Sequence, residues 1–515
     1  LLHGVTGSGK TLVYIKLIYA ARAAGRDAIL LVPEIALTPQ LLERLRAHFG
    51  SDVAVLHSSL RVGERYDEWR RIAAGQAHIV VGTRSAVFAP VQDLGVLIVD
   101  EEQEHSYKSE NTPRYHAREV AFYRGAQENA LVLLGSATPS VESMYRAKSG
   151  LYSLYRLTER YNGRELPRVE LADMKQEIRA GNPGAISAPL LDRLIQNVQD
   201  GKQSILFLNR RGNSRCLVCV ECGEAPGCPR CSVSLTYHSA NNRLMCHYCG
   251  HSQTVPARCP SCGGALKSVG FGTQRVEQEL HELLPDVPVL RMDADTVSAS
   301  NDHEAILSRF VREKIPILLG TQMVAKGLDF ENVTLVGVLD ADLSLYFGSF
   351  RAAETTFSLV TQVVGRAGRG KSTGTALIQT MTPEHPVLRL AARQDYDAFY
   401  DMEIQLRTLR RFPPLRDVFT VTVTCLHEDR LIRSAATLRQ AIAGNLAAMA
   451  LMDAELFGPA PAPVAKVNCV YRYRLSLCCK NSKAVRQMLA FVLRQFAKDP
   501  KNRGVSAFID VNSYD

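Results

Sequence analysis

The sequence predicts an α/β protein: two lobes, each a parallel sheet flanked by helices, a cysteine-rich insertion in the second lobe, and a small α+β domain at the C-terminal end. Three observations predict it. Short apolar runs ending in polar loops alternate with helical patterns over residues 1 to about 165, and the alternation restarts at about 185. Nine of the 13 cysteines fall between residues 216 and 262, inside that second stretch. After RRFPPLRD (410–417) the order becomes strand, helix, strand, strand, helix, strand.

In the first lobe, GVTGSGKT (4–11) fits G-x-x-x-x-G-K-[ST] and a helical run follows it, which makes this a P-loop NTPase motif in a RecA-like lobe. Gly4, Val5, Thr6, Gly7, Ser8 and Gly9 would let backbone amides cradle the phosphates of ATP. Lys10 would reach the β- and γ-phosphates, and Thr11 would ligand Mg²⁺. Only Leu1, Leu2 and His3 remain of the strand that should feed this loop, and the chain begins without methionine, so an N-terminal part is expected to be absent. AILLVPE (28–34), AHIVVGTR (77–84), GVLIVDEE (95–102) and LVLLGSATP (131–139) are the further strands. Parallel α/β sheets carry their sites at the carboxyl ends of such strands. There Asp100 would hold Mg²⁺ and Glu101 would polarise the attacking water as general base.

In the second lobe, QSILFLNRRG (203–212), PVLRMDAD (288–295), PILLGTQMVAKG (316–327), VTLVGVLDAD (333–342) and TALIQTM (375–381) are the strands. TQVVGRAGRG (361–370) offers Arg366 and Arg369, whose spacing of three predicts one helix face aimed at the γ-phosphate. Between these strands stand four Cys-x-x-Cys knuckles: Cys219/Cys222, Cys228/Cys231, Cys246/Cys249 and Cys259/Cys262. Eight thiolates suit two closed tetrahedral Zn²⁺ sites. A disulfide framework belongs to short secreted chains, whereas this chain has 515 residues, no signal peptide and no long apolar span, which favours a reducing cytoplasm and no membrane. SVSLTYHSANNRLM (232–245) predicts a β-hairpin bringing the second and third knuckles together. One zinc then takes Cys228, Cys231, Cys246 and Cys249, and the other takes Cys219, Cys222, Cys259 and Cys262. Eight thiolates against two divalent ions lower the formal net charge of +9 by four, so nucleic-acid affinity must come from local patches.

The C-terminal strands and helices are VFTVTVTC (418–425), helix 429–449, PVAKVNC (463–469), YRYRLSLCC (471–479), helix 482–498 and VSAFIDV (505–511), a split-βαβ pattern. Thr38, Ser58, Ser59, Thr83, Arg84, Thr321 and Gln322 recur at strand ends, where hydroxyls and amides can grip a nucleic-acid backbone. Residues 104–118 interleave His105, Tyr107, Lys108, Arg114, Tyr115, His116 and Arg118, suited to stacking on bases and pairing with phosphates.

GVTGSGKT, PEIALTPQ (33–40), GTRSAVFAP (82–90), DEEQ (100–103), GSATPS (135–140), FLNRRG (207–212), GTQMVAKGLDF (320–330) and QVVGRAGR (362–369) stand in the order of superfamily 2 helicases. The eight-cysteine insertion, SYKSENTPRYHAREVA (106–121), VGFGTQRVEQEL (269–280) and the RRFPP junction together resemble the primosomal protein N′ (PriA) family, over essentially the whole chain. The resemblance implies helicase lobe 1 over 1–165, the start of lobe 2 over 166–215, a two-zinc insertion over 216–265, the rest of lobe 2 over 266–405 and the C-terminal domain over 406–515. Gln103 stands where many relatives carry histidine. The family's N-terminal 3′-end-binding domain and winged helix have no counterpart in this sequence. The implied activity is ATP-dependent 3′→5′ unwinding of DNA at stalled or collapsed forks, with primosome assembly for replication restart. Implied partners are forked and single-stranded DNA, primosome proteins and single-stranded DNA-binding protein, acting on a monomer at the nucleoid, with residues 104–118 coupling DNA occupancy to hydrolysis. Two other functions fit the lobes: an RNA-dependent ATPase or non-unwinding duplex translocase, and a primosome-recruiting scaffold with an idle ATPase.

Overall fold

The structure is a computed structural model that describes residues 1–33, 39–161, 163, 166–208, 215–219, 226–229, 235–238, 242–245, 251–269, 272–293, 300–321, 330, 332–346, 350–368, 374–451 and 453–513. The chain divides into two compact units: residues 1–211 with 275–403, and residues 212–274 with 404–515.

The first unit holds two parallel sheets. Among the described residues, the first runs in the order Val53–Leu56, Ile79–Gly82, Asp27–Leu31, Leu94–Asp100, Leu131–Ser136, Leu2–Gly4, Tyr155–Leu157. The second runs Val289–Met292, Ile317–Gly320, Gln203–Leu208, Val333–Leu339, Thr375–Thr380, Arg168–Asp173. Strands such as Asp27–Leu31 and Gln203–Leu208 are buried along their whole length, which is why they read as unbroken apolar runs rather than alternating ones. Two edge strands escaped the sequence reading. Tyr155–Leu157 is only three residues long, and Arg168–Asp173 alternates Val169 and Leu171 with charged residues, so neither shows the apolar run that marks the other strands. The first extends the sheet beside Leu2–Gly4, with Leu2 opposite Tyr155 and Gly4 opposite Leu157.

The second unit contains two antiparallel sheets. The hairpin predicted between the second and third knuckles is present: Tyr237 pairs with Leu244 and His238 with Arg243, and Asn242 takes the turn with φ 51°. The strands Arg215–Cys219, Leu266–Val269 and Ser252–Thr254 complete that sheet. Its small core of Leu217, Cys228, Leu235 and Leu244 packs against Val467 of the C-terminal domain. That domain orders its strands Glu455–Val467, Val470–Cys479, Asp417–Cys425, Val505–Val511, with helices Glu428–Ala448 and Lys483–Lys498 covering a core around Phe419, Leu438, Leu475 and Val492. The edge strand starts eight residues before the predicted 463. Pro459, Pro461 and Pro463 hid it, since proline is tolerated at a sheet edge but erases the usual strand signature. Among the described residues no helix is long and apolar enough to cross a membrane.

Candidate functional site

The strand Leu2–Gly4 ends in a loop that turns through Gly7 (φ 81°) and Gly9 (φ 88°), left-handed conformations that suit glycine. Helix Lys10–Ala23 then begins on Gly9 with no side-chain cap, leaving its first amides free to face a ligand. Lys10 Nζ donates to Gly4 O at 2.9 Å, and the buried Ser8 Oγ has no hydrogen-bond partner among the described residues. An uncapped helix start, two left-handed glycines and an orphaned hydroxyl fit a phosphate group. Thr11 lies half-buried at the same helix start.

Asp100 and Glu101 stand where the strand Leu94–Asp100 ends. Glu101 adopts φ 45°, a left-handed backbone unusual for glutamate and typical of functional sites. Asp100 Oδ1 accepts from Tyr14 Oη at 2.7 Å. Tyr14 can come this close because Gly135 leaves room; any side chain there would collide with the Tyr14 hydroxyl. Burial, and then the neighbouring Glu101 charge, push the Asp100 carboxyl up to about 6, while Lys10 opposes the rise. A poised carboxyl beside a lysine is a fit site for a divalent cation, whose charge would draw the proton off.

Glu101 is held from both lobes. Its Oε2 accepts from Gln103 Nε2 at 2.9 Å and from Gln362 Nε2 of the second lobe at 3.4 Å. Gln103 Oε1 in turn accepts from Ser136 Oγ at 2.5 Å. The Arg366 guanidinium is lowered to about 10 by burial, opposed by the Glu101 charge. The second lobe also reaches the phosphate loop: a Cβ on Gly365 would stand 2.9 Å from Thr6 Oγ1. One expectation is corrected here. Arg366 is not on a helix face; the helix Ala352–Val364 ends before it, Gly365 caps that helix, and Arg366 and Ala367 close tight turns onto Val363 O and Val364 O. Arg369 lies outside the described residues.

The segment after the acids corrects two further expectations. Tyr107 is fully buried and its hydroxyl donates to Asp100 O at 2.6 Å, so it braces the acidic turn and has no ring face to offer a base. Arg118 is 8% exposed, and its Nη1 donates to Glu102 Oε2 at 2.6 Å and to Ser140 Oγ at 2.9 Å, which spends its charge inside the lobe. Tyr115 is half-buried, edge-on to the exposed Phe88 ring at 4.9 Å, and Lys108 is half-buried on the same surface segment. Arg84 Nη1 donates to Ser106 O and Lys108 O at 3.2 and 2.6 Å, tying that segment to the strand end carrying the nearly buried Thr83. Thr321 is half-buried at the end of Ile317–Gly320, Ser58 and Ser59 are exposed in a turn, and Thr38 and Gln322 lie outside the described residues.

Sequence reasoning missed Tyr14, Glu102 and Gln362. Glu102 is fully buried and accepts from Arg118, Ser143 Oγ (2.9 Å) and Ser140 N (2.7 Å), so it anchors the turn instead of facing the nucleotide. Its place in the DEEQ run was visible; which of three carboxylates turns inward was not.

Of the cysteines expected to ligate zinc, Cys228 and Cys259 are buried and Cys262 is exposed; the side chains of Cys219, Cys222, Cys231, Cys246 and Cys249 lie outside the described residues. The fourth knuckle closes a tight turn: Gly264 N donates to Cys262 Sγ at 3.4 Å, Gly263 N to Cys259 O at 2.9 Å, and Gly263 has φ 77°. Amide donation to sulfur suits a metal-bound thiolate.

Family models match the chain in the same order. DEAD/DEAH box helicase matches residues 1–147, PriA DNA helicase Cys-rich region (CRR) domain 228–253, Helicase conserved C-terminal domain 269–371 and Primosomal protein N C-terminal domain 408–514. The helicase models imply ATP and Mg²⁺, and the Cys-rich model implies zinc. Replication restart protein PriA of Bacillus subtilis (strain 168) is 47% identical over 515 residues, covering 100% of this chain and 64% of that protein. Those of Treponema pallidum (strain Nichols) and Haemophilus influenzae (strain ATCC 51907 / DSM 11121 / KW20 / Rd) are 40% and 38% identical, over 96% and 100% of this chain and 74% and 70% of theirs. The chain thus spans less than two thirds of the Bacillus protein, and 58% of the Synechocystis one. With a phosphate loop, an acidic turn gripped from both lobes and a cysteine-rich sheet in one polypeptide, matched over its full length by such relatives, the chain belongs to the replication restart protein PriA family.

Proposed function

We propose that this chain is the ATP-driven motor of a DNA helicase that moves 3′→5′, remodels stalled or collapsed forks and starts primosome assembly. The observation that carries the motor reading is the two-sided grip on Glu101: Gln103 from its own lobe and Gln362 from the second lobe. A carboxylate that hydrogen-bonds both lobes ties the proton-accepting group to their relative position, which is what a hydrolysis-driven lobe movement requires. The directional and fork-specific parts rest on the family.

In this proposal ATP binds with Mg²⁺, which would neutralise charge on the phosphates and screen the leaving group. Gly4–Gly9 amides seat the phosphates. Lys10 would turn from Gly4 O to the β- and γ-phosphates, and Thr11 and Asp100 would hold the cation. Glu101 takes the proton of the attacking water, oriented by Gln103. Arg366, with Arg369 three residues on in sequence, meets the charge that develops on the γ-phosphate. Thr83, Arg84, Lys108, Tyr115 and Thr321 remain the proposed contacts to the strand, with Thr38.

Two zinc ions in a nested arrangement are also proposed. Cys219 is paired with Leu266, four residues beyond Cys262, which favours the first knuckle sharing a metal with the fourth. Cys228 packs under the hairpin strand containing Leu244, just before Cys246, which favours the second sharing with the third.

Strand separation tests the function. Forked DNA with one labelled arm, offered with either a 3′ or a 5′ loading strand, is expected to be unwound only from the 3′ side and only with ATP. An RNA duplex unwound as well as DNA would point to the RNA-dependent reading. Primosome proteins captured by a Lys10→Ala chain with no unwinding by the parent would point to a scaffold.

A further inference from the structure

The chain leaving the edge strand Tyr155–Leu157 runs alongside the phosphate loop. Val5 N donates to Leu157 O at 3.1 Å and Tyr161 N to Gly7 O at 2.9 Å, so this inter-lobe linker is stitched to the loop at both ends. Between the stitches lies Arg160, a side chain with no part in the function above. It is only 6% exposed. Its Cγ lies 3.9 Å from the place a Cβ on Gly7 would occupy, so its stem crosses the middle of the loop. Its Nη1 comes within 3.5 Å of Gly368 O in the second lobe, and its Nε and Nη2 have no hydrogen-bond partner among the described residues. No carboxylate among the described residues pairs with it.

A guanidinium carries five donors and cannot shed its charge, so burying it beside one long carbonyl contact is costly unless an anion joins it. Burial alone lowers its pKa, with no opposing charge to restore it. Other buried arginines of this unit are answered: Arg118 by Glu102, Arg351 by Glu142. Arg160 faces a loop whose own Ser8 hydroxyl is also orphaned. Two unsatisfied polar groups at one glycine-rich loop call for the same kind of ligand, one rich in acceptor oxygens. Loop amides at the level of Gly7 cradle α- and β-phosphates, whereas Arg366 arrives from the side of Glu101.

We propose that Arg160 is a nucleotide-binding residue supplied by the inter-lobe linker, its guanidinium taking a phosphate oxygen common to ATP and ADP. This rests on the nucleotide reading of the loop Gly4–Thr11. Because the same side chain approaches Gly368, nucleotide occupancy would fix the linker against both lobes.

The test compares the parent with Arg160→Gln, Arg160→Lys and Lys10→Ala chains, measuring ADP binding by titration calorimetry, ATP KM and kcat, and Tm without nucleotide. A charge-assisted contact sets the scale: Arg160→Gln is expected to weaken ADP binding and raise ATP KM by roughly tenfold, with a smaller effect on kcat, and Arg160→Lys to recover part of the loss. Parent-like ADP affinity and KM in Arg160→Gln, with or without a lower Tm, would overturn the proposal, as would a loss confined to kcat. Should the glutamine variant fail to fold, Arg160→Lys decides: it keeps the charge but loses the fork, and parent-like ADP affinity in it overturns the proposal. The loop reading itself fails separately, if Lys10→Ala binds ADP as the parent does.

Discussion

Glu101 carries an unusual backbone and two glutamine contacts, so its side chain is held in place, as the proposed general base requires. Glu101→Gln keeps the size and loses the proton acceptor; ATP hydrolysis is expected to fall by roughly 100-fold to 10,000-fold with ATP binding retained, in steady-state assays paired with nucleotide titration. Arg118 belongs to the interior. Removing one partner of a buried ion pair leaves the other charged and alone, so Arg118→Ala is expected to cost roughly 3–5 kcal/mol in denaturant unfolding. A weaker grip on DNA with unchanged stability would return Arg118 to the surface role its sequence suggested. His3, edge-on to Tyr396 at 4.8 Å, is lowered from 6.5 to about 4, chiefly by burial and next by the Arg156 charge. Its folded form therefore stays neutral while the unfolded chain takes up a proton below about 6.5, so its contribution to stability is lost as pH falls from about 6.5 towards about 4. His3→Gln is expected to flatten the dependence of Tm on pH across that window.

At the scale of elements, the sequence was legible where one segment carries its own signal. The glycines and lysine of residues 4–11 declare their loop, and Asp100 and Glu101 follow an unbroken apolar strand. Tyr14 was not legible, because its role depends on Gly135, far away in sequence, leaving space for its hydroxyl. Nor was the inward turn of Tyr107 and Arg118: both have the composition of a nucleic-acid surface, and only packing against Asp100 and Glu102 distinguishes them. The end of the helix at Val364 was misjudged because a spacing of three resembles a helix face even across a Gly-x-x-Gly turn. The zinc sheet makes a sharper expectation. Among the described residues its buried core is Leu217, Cys228, Leu235 and Leu244, and small knuckle modules of this kind lean on metal to hold their strands. Metal analysis is expected to find two zinc ions per chain, and a chain carrying both Cys228→Ser and Cys246→Ser is expected to lose only one. Loss of both ions in that double variant would contradict the nested pairing.

Across the whole molecule, both lobes lie in one compact unit and meet around the nucleotide cleft. Arg351 Nη1 pairs with Glu142 at 2.5 Å, Val141 N donates to Glu354 Oε1 at 2.9 Å, and Thr138 Oγ1 lies 2.7 Å from Ser358 Oγ, all just beyond the turn that holds Glu102. Buried polar contacts across a lobe boundary exchange partners when lobes shift, which suits a machine that alternates between two arrangements. In the proposed function, ATP hydrolysis in this cleft responds to DNA. Its most direct measurement is the ATPase rate of this polypeptide with and without forked DNA, beside Lys10→Ala. The rate is expected to rise on adding the fork in the parent and to be lost in Lys10→Ala under both conditions. A parent rate indifferent to DNA, or a Lys10→Ala chain that hydrolyses ATP as fast as the parent, would contradict it.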